Sequence, residues 1–272
     1  MRYDEYAPSP ALRPFVDRLW TLEAPAGSGD ADPVLPDGHV EIIVHAGDPF
    51  CEIVNGRRHR QSPVLLAGQL TRSVRLAPDG ATLVAGARLH PNGAHALLGV
   101  PQRHLTDRVV DLSTAHRRLA RILMDDATGR DGRESLVAAL DRALVRITPP
   151  AAPRSPAAHA IGLAMSRRGL VQVGDLARAV GVSDRQLQRH FHDEVGMPPK
   201  RWLRVLRFQE VLRRLRGQSE DVTWTDIAAT CGYYDQSHFV HDFRSFTGQA
   251  PSEWSIEESS LTAVFVRGNV GS

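Results

Sequence analysis

The chain has 272 residues, 42% hydrophobic and 24% charged, which supports one large domain or two ordinary ones and excludes a disordered or collagen-like chain. No apolar run approaches the roughly 20 residues that span a bilayer, and residues 1–20 carry Asp4, Glu5, Arg13 and Asp17 where a signal peptide needs an apolar stretch, so the expectation is a soluble, cytoplasmic protein with no membrane partner. The two cysteines, Cys51 and Cys231, form no Cys-x-x-Cys, and the net charge of +2 conceals an even first part (18 basic and 18 acidic residues over 1–150) and a basic second part (15 and 13 over 151–272).

In chain order, residues 10–19 read as a helix, with Trp20 after it as a core plug. Short β-type runs follow at residues 40–44, 51–54, 64–67, 74–76 and 82–89, separated by turn signals such as Pro36-Asp37-Gly38, Asn55-Gly56 and Pro78-Asp79-Gly80. They predict a small antiparallel sheet or barrel. From residue 94 to 147 the spacing becomes helical, clearest in Leu136, Leu140, Leu144 and Ile147, and these amphipathic helices serve either as a cover for the sheet or as the seam of a homodimer. Residues 148–158, TPPAAPRSPAA, contain four prolines and read as an extended linker. The organisation expected is therefore an α+β unit over 1–147, a linker over 148–158, an all-α unit over 159–256 and an extension over 257–272, in which residues 261–266 read as a strand.

The all-α region announces its helices. Ser183 with Gln186 and Thr223 with Asp226 have capping-box spacing, and Pro198-Pro199 opens a long basic helix that ends near Gly217. Between residues 185 and 216 there are nine basic groups against three acidic ones, a one-sign block that suits a polyanion better than a solvated amphipathic face.

The same region contains a repeat. A shift of 51 residues aligns Ala177 with Ala228, Gly181 with Gly232 and Asp184 with Asp235; after one inserted residue a shift of 52 aligns Leu187 with Phe239, Phe191 with Phe243, Gly196 with Gly248, Pro199 with Pro251 and Trp202 with Trp254. Each unit reads as a short helix with a small inward residue, a glycine turn and a second helix buried through an i, i+4 pair: a helix-turn-helix, written twice. The other face of the second helix carries Arg185, Gln188 and Arg189 in the first unit, and Gln236, Ser237, His238, Val240 and His241 in the second. Arginine binds guanine bidentately and glutamine binds adenine, so these types on an exposed helix face point to the major groove of DNA; generic helical hairpins with solvated faces are the bland alternative.

On these residues, LARAVGVSDRQLQRHFHDEVGMPPKRWLRVLRFQEVLRRL and DIAATCGYYDQSHFVHDFRSFTGQAPSEW, the region from about 160 to 254 resembles the DNA-binding domain of the AraC/XylS family of bacterial transcriptional regulators. The resemblance implies two helix-turn-helix units joined by one long helix, entering successive major-groove segments on one face of a promoter, with RNA polymerase as a further partner and activation as the habitual outcome. It assigns base reading to Arg185, Gln188, Arg189, Gln236, Ser237 and His241. His241 departs from the pattern, since arginine is common there, and a mostly neutral imidazole reads bases less strongly. Phosphate contacts are expected at Arg204, Arg207 and Arg244 and at the capped helix starts Ser183 and Asp235; a salt bridge is the alternative for each arginine.

The first half resembles, more weakly, an accessory region of some of these regulators through LPDGHVEIIVH (residues 35–45) and ARLHPNGAHALLGVP (residues 87–101). In the wider family this half is a small β-barrel that binds an unknown small-molecule effector or dimerises. Arg88, Glu41 and His39 are the candidate effector residues: Arg88 either clamps a carboxylate or phosphate or pairs internally with Glu41 or Asp37. His39, Glu41, His45 and His90 lack the His-x-His spacing of a metal-binding barrel, so no metal and no cofactor is expected. Nucleophile elbows, phosphate-binding glycine loops and clustered cysteines are missing, which disfavours an enzyme such as an alkyl-transfer repair protein fused to this module; a nonspecific architectural DNA binder is the third possibility.

Overall fold

The computed structural model describes residues 1–27, 31–127, 132–151, 154–216, 224–254 and 262. Its first half is built on two antiparallel sheets. The larger has six strands in the order β1 (Arg2–Tyr6), β2 (Val16–Ala24), β9 (Thr82–Leu89), β4 (Val40–His45), β7 (Val64–Ala67) and β10 (Val109–Asp111). The smaller orders β3 (Asp32–Val34), β8 (Val74–Ala77), β5 (Cys51–Val54) and β6 (Arg57–Arg60). Both sheets are open, so the sheet alternative holds and the barrel does not.

The five β-type runs recognised in the sequence are the strands β4, β5, β7, β8 and β9. Asn55 and Gly56 take the left-handed conformation between β5 and β6, the two-residue turn that suits a twisted hairpin. The helix expected over residues 10–19 is absent. Turns occupy residues 10–15, β2 begins at Val16, and the apolar residues Leu12, Phe15, Val16 and Leu19 are all buried by this route instead. Trp20 is buried as expected. The helices α1 (Gly93–Leu98), α2 (Leu112–Ala127, kinked at His116) and α3 (Arg133–Val145) follow, and the core of this half lies where α2 and α3 pack on the larger sheet.

Beyond the proline-rich stretch, α4 (Pro156–Ser166) begins within residues 148–158: Ser155 caps it by accepting from the Ala158 amide at 3.0 Å, so the final residues of the expected linker form the first helical turn. The two repeated units are α5 (Val173–Ala179) with α6 (Asp184–Glu194), and α8 (Trp224–Thr230) with α9 (Gln236–Thr247). Between them runs the long helix α7 (Pro199–Arg216). Gly181 and Gly232 make the two interhelical turns at φ of 72° and 73°, a conformation glycine adopts without strain. The expected strand over residues 261–266 lies outside the described residues, Thr262 excepted, as does Thr223 of the second capping box.

A single core serves both units. Leu187, Phe191, Trp202, Phe208, Phe239, Phe243 and Phe246 are fully buried within it, and Phe208 of α7 packs against Phe243 and Phe246 with ring centroids 5.7 and 4.9 Å apart. Phe208→Ala should therefore remove about 3–5 kcal/mol of stability, measured by urea denaturation, with loss of helical signal from both units in one transition. Two separate transitions would show that the units have independent cores.

Candidate nucleic-acid interface

The two second helices start alike. Ser183 accepts from the Gln186 amide at 3.3 Å while Gln186 Oε1 accepts from the Ser183 amide at 2.9 Å, the capping box expected from the sequence. Asp235 accepts from the His238 amide at 2.7 Å. Ser183 and Asp235 are thus equivalent caps, and the register of the repeat already changes before them, so Asp184 and Asp235, paired by sequence alone, hold different places.

Counted from these caps, Arg185 matches Ser237, Gln188 matches Val240 and Arg189 matches His241. Arg185, Gln188, Arg189, Gln236, Ser237 and His241 are all exposed, whereas Leu187, Phe191, Phe239 and Phe243 face inward, which divides each helix into an exposed polar face and a buried face. Val240 is half-buried and packs on the core.

The opposite ends of both helices are docked on the first half. Gln102 donates its side-chain amide to the Glu194 carbonyl, Thr106 donates to the Gly196 carbonyl at 2.6 Å, Arg103 pairs with Asp193, and the Ser73 amide donates to the Phe246 carbonyl at 3.0 Å. The amino-terminal turns, whose first backbone amides favour anions, remain open.

The expected phosphate contacts divide. Arg244 is exposed on α9. Arg204 binds Asp242 through two hydrogen bonds of 2.6 and 3.0 Å and lies over the Phe246 ring; Arg207 lies over Tyr233 and donates to the Gly169 carbonyl at 3.4 Å. Arg168, Arg213 and Arg214 converge on the buried Glu210. Burial would raise the Glu210 carboxyl, but the hydrogen bonds from Arg213 and Arg214 outweigh it and hold the group below the usual range. The basic block is therefore partly neutralised from within.

One residue of this face escaped the sequence reading. The second turn, Gly232-Tyr233-Tyr234-Asp235, is one residue longer than Gly181-Val182-Ser183; Tyr233 is buried, and Tyr234, the added residue, is 94% exposed beside the α9 cap. The insertion was visible in the repeat, but its side chain's direction was not.

In the first half, His39 lies in both of two cavities. One, of about 150 Å³, opens between the two halves and is lined on the first half's side by Arg18, Asp37, His39 and Arg88; the other, of about 80 Å³, lies between the sheets and has Glu41 and His39 on its wall. Arg88 donates to Asp37 at 2.5 Å, one of the two internal pairings considered for it. His39 Nδ1 lies 2.8 Å from the Leu89 carbonyl and His90 Nε2 lies 3.0 Å from the Arg13 carbonyl. Among the described residues no three His, Cys, Asp or Glu side chains are grouped to hold a metal ion.

Two open polar helix faces, each capped, glycine-hinged and mounted on one linking helix, define a double helix-turn-helix domain. The comparisons agree. A family described as a helix-turn-helix domain matches residues 176–255, and one described as a domain of unknown function (DUF6597) matches residues 4–111. The activator RhaS of Pectobacterium carotovorum is 41% identical over 81 residues, 30% of this chain and 28% of that protein. The activator NphR of a Rhodococcus species is 30% identical over 91 residues, 34% of this chain and 26% of that protein. Residues 176–255 thus match a helix-turn-helix family, and about a third of the chain is similar to these transcriptional activators. The chain spans little more than a quarter of the length of these relatives. Over the whole chain, the structure of ToxT from Vibrio cholerae aligns with 98% of this chain and 99% of its own at 11% identity and a TM-score of 0.46.

Burial drives both His39 and His45 down to about 4, helped at His39 by Arg88, and pushes Glu41 up to about 7. Between pH 4.5 and 6.5 the unfolded chain then binds two more protons at the histidines and one fewer at Glu41, a net of one, so stability falls as pH falls through this window. The expected slope, about 1.4 kcal/mol per pH unit, is checked by urea denaturation at pH 4.5, 5.5 and 6.5; a flat profile would show that these groups stay solvated. Tyr234→Ala is expected to weaken duplex binding about tenfold, roughly 1.4 kcal/mol, with an unchanged melting temperature because the ring buries nothing, as read by anisotropy titration and thermal denaturation.

Proposed function

We propose that this protein is a sequence-specific DNA-binding transcriptional regulator, an effector-responsive activator that reads two successive major-groove segments of a promoter. The observation that supports it best is the pair of exposed polar faces, Arg185, Gln188 and Arg189 on one helix and Gln236, Ser237 and His241 on the other, carried on one shared core. Base edges are read by these six residues. Phosphates are held by Arg244 and by the amides at the starts capped by Ser183 and Asp235, with Arg204 and Arg207 adding positive potential from their internal positions. RNA polymerase is the further partner of such an activator, and the cytoplasm its place of action. Among the described residues no helix is long and apolar enough to cross a membrane.

The effector is assigned to the first half, where Arg88, His39 and Glu41 line the two cavities. The alkyl-transfer alternative is disfavoured by the thiols: Cys51 and Cys231 are both buried, and burial pushes Cys231 up to about 11, far from a reactive thiolate.

Selection from a random duplex library by the full chain at about 150 mM salt, where charge attraction is screened, tests this reading. Two enriched blocks about one helical turn apart are the expected result, and a mirrored pair of such motifs would report a homodimer. On the selected duplex, Arg189→Ala should cost about 1–3 kcal/mol and relax preference at one base position. Equal weakening on every sequence would reassign Arg189 to phosphate, and enrichment of no motif would favour an architectural binder.

A further inference from the structure

The helical side of the first half carries a concentration of charge that neither the helix-turn-helix units nor the inner cavities use. α2 and α3 bury their apolar sides on the larger sheet, and their other sides expose Arg117, Arg118 and Arg121 on α2 and Arg142, Val145 and Arg146 at the end of α3. Arg117, Arg118, Arg121 and Arg146 surround an open cavity of about 550 Å³, with Ile122, packed on the core beneath, as its apolar wall. Among the described residues the side chains of Arg117, Arg118 and Arg121 make no hydrogen bond or ion pair. The carboxylates nearest along the helix are Asp125, one turn beyond Arg121 and not paired with it, and Asp126, which lies 4.0 Å from Arg146. Like charges three and four residues apart on one helix repel. These three also sit where α2 restarts after its kink: His116 Nδ1 accepts from the Leu119 amide at 3.1 Å, and positive charge at such a start opposes the helix dipole. The fold gains nothing from arginines held there without counter-charges, whereas carboxylates brought by a partner would relieve them.

We propose that this patch docks an acidic amphipathic segment of another protein, whose carboxylates pair with Arg117, Arg118, Arg121 and Arg146 while its apolar side chains seat against Ile122 and Val145. Arginine suits this task, since its planar fork binds a carboxylate through two hydrogen bonds. The apolar wall favours a protein segment over a duplex: phosphates gain nothing from Ile122, and a row of them follows a backbone instead of entering a cavity. A second copy meeting the patch about a twofold axis would set arginine against arginine. The helices that carry the patch rest on strands of the first half, α2 on β4, β7 and β10 and α3 on β2 and β9, so a partner held there leaves α6 and α9 free for their own contacts.

Anisotropy titration of the full chain with a labelled helical peptide of about 20 residues, glutamates along one side and leucines along the next, tests the patch. Two controls replace every glutamate by glutamine or every leucine by serine. Saturable binding of the parent peptide is expected, with each control at least tenfold weaker. The double variant Arg117→Glu, Arg121→Glu should also weaken it at least tenfold, while its melting temperature does not fall, because these exposed side chains hold nothing in place, and its affinity for duplex DNA is unchanged. No saturable binding below about 1 mM, equal binding of either control, or equal binding by the variant overturns the proposal. Duplex affinity that falls in the variant would make the patch a DNA contact instead, and a dimer lost in the variant, read by sedimentation, would assign it to a second copy. A tenfold gain in peptide affinity on changing Glu257 and Glu258 to glutamine would assign it to the chain's own tail. The regulator reading is tested separately: a recovered DNA motif without peptide binding removes this patch alone, and peptide binding without a motif leaves it standing.

Discussion

The arrangement depends on the seat of Trp202. Its indole is fully buried, tilts against Phe191 at 5.8 Å between ring centroids, and donates to the Gly38 carbonyl in the first half. One side chain therefore belongs to the first helix-turn-helix unit, to the linking helix and to the contact between halves. Gly38 accepts this approach because its φ is 81° and because a Cβ there would lie 2.9 Å from the indole nitrogen. Any other residue would meet both backbone strain and the Trp202 ring. Aromatic burial supplies the bulk of such a junction, while the hydrogen bond fixes its orientation.

From that seat the distribution of freedom follows. α7 has one side in the core of both units and another against the loop carrying Pro36 and Gly38, so α7 ties α6 and α9 to one another and to the first half. Their carboxy-terminal ends are tied to Gln102, Thr106 and Ser73. What remains open is the amino-terminal turn of each, where helix dipoles and free amides favour a phosphate. Charge follows the same division: Glu210 and Asp242 gather the arginines of α7 toward the interior, whereas Arg185, Arg189 and Arg244 are left for a partner.

Legibility in the sequence tracked how local each signal was. Both units were readable because glycine turns, caps and i, i+4 aromatic pairs recur within short stretches, and the central strands announced themselves by β-branched runs between turn residues. The edge strands β1 and β6 did not, since RYDEY and RRHR bury little and are held by pairing with β2 and β5. Residues 10–19 mimic a helix because Leu12, Phe15, Val16 and Leu19 have helical spacing, yet Pro14 removes a backbone donor and the same residues are buried by turns leading into β2. The cavity between the halves was beyond reach: Arg18, Asp37, Arg88, Arg168 and Arg213 meet only through tertiary docking, and nothing in their spacing brings them together.

The exposed faces of the two units are not equivalent. At matched places the first presents Arg185, Gln188 and Arg189 and the second Ser237, Val240 and His241, so the first has strong bidentate donors where the second has a hydroxyl, an apolar group drawn to the core and an imidazole. Hydrogen-bonding capacity toward base edges is thereby concentrated in one unit. The second compensates in another currency: its turn is longer by Tyr234, whose ring stands in solvent in a domain that otherwise hides its aromatic side chains almost completely. An aromatic surface beside a capped helix start suits contact with a thymine methyl or the sugar backbone, which depends on shape and apolar area more than on donor patterns. Under the proposed function, this division makes the first unit the main source of base preference and both units the source of grip on the duplex.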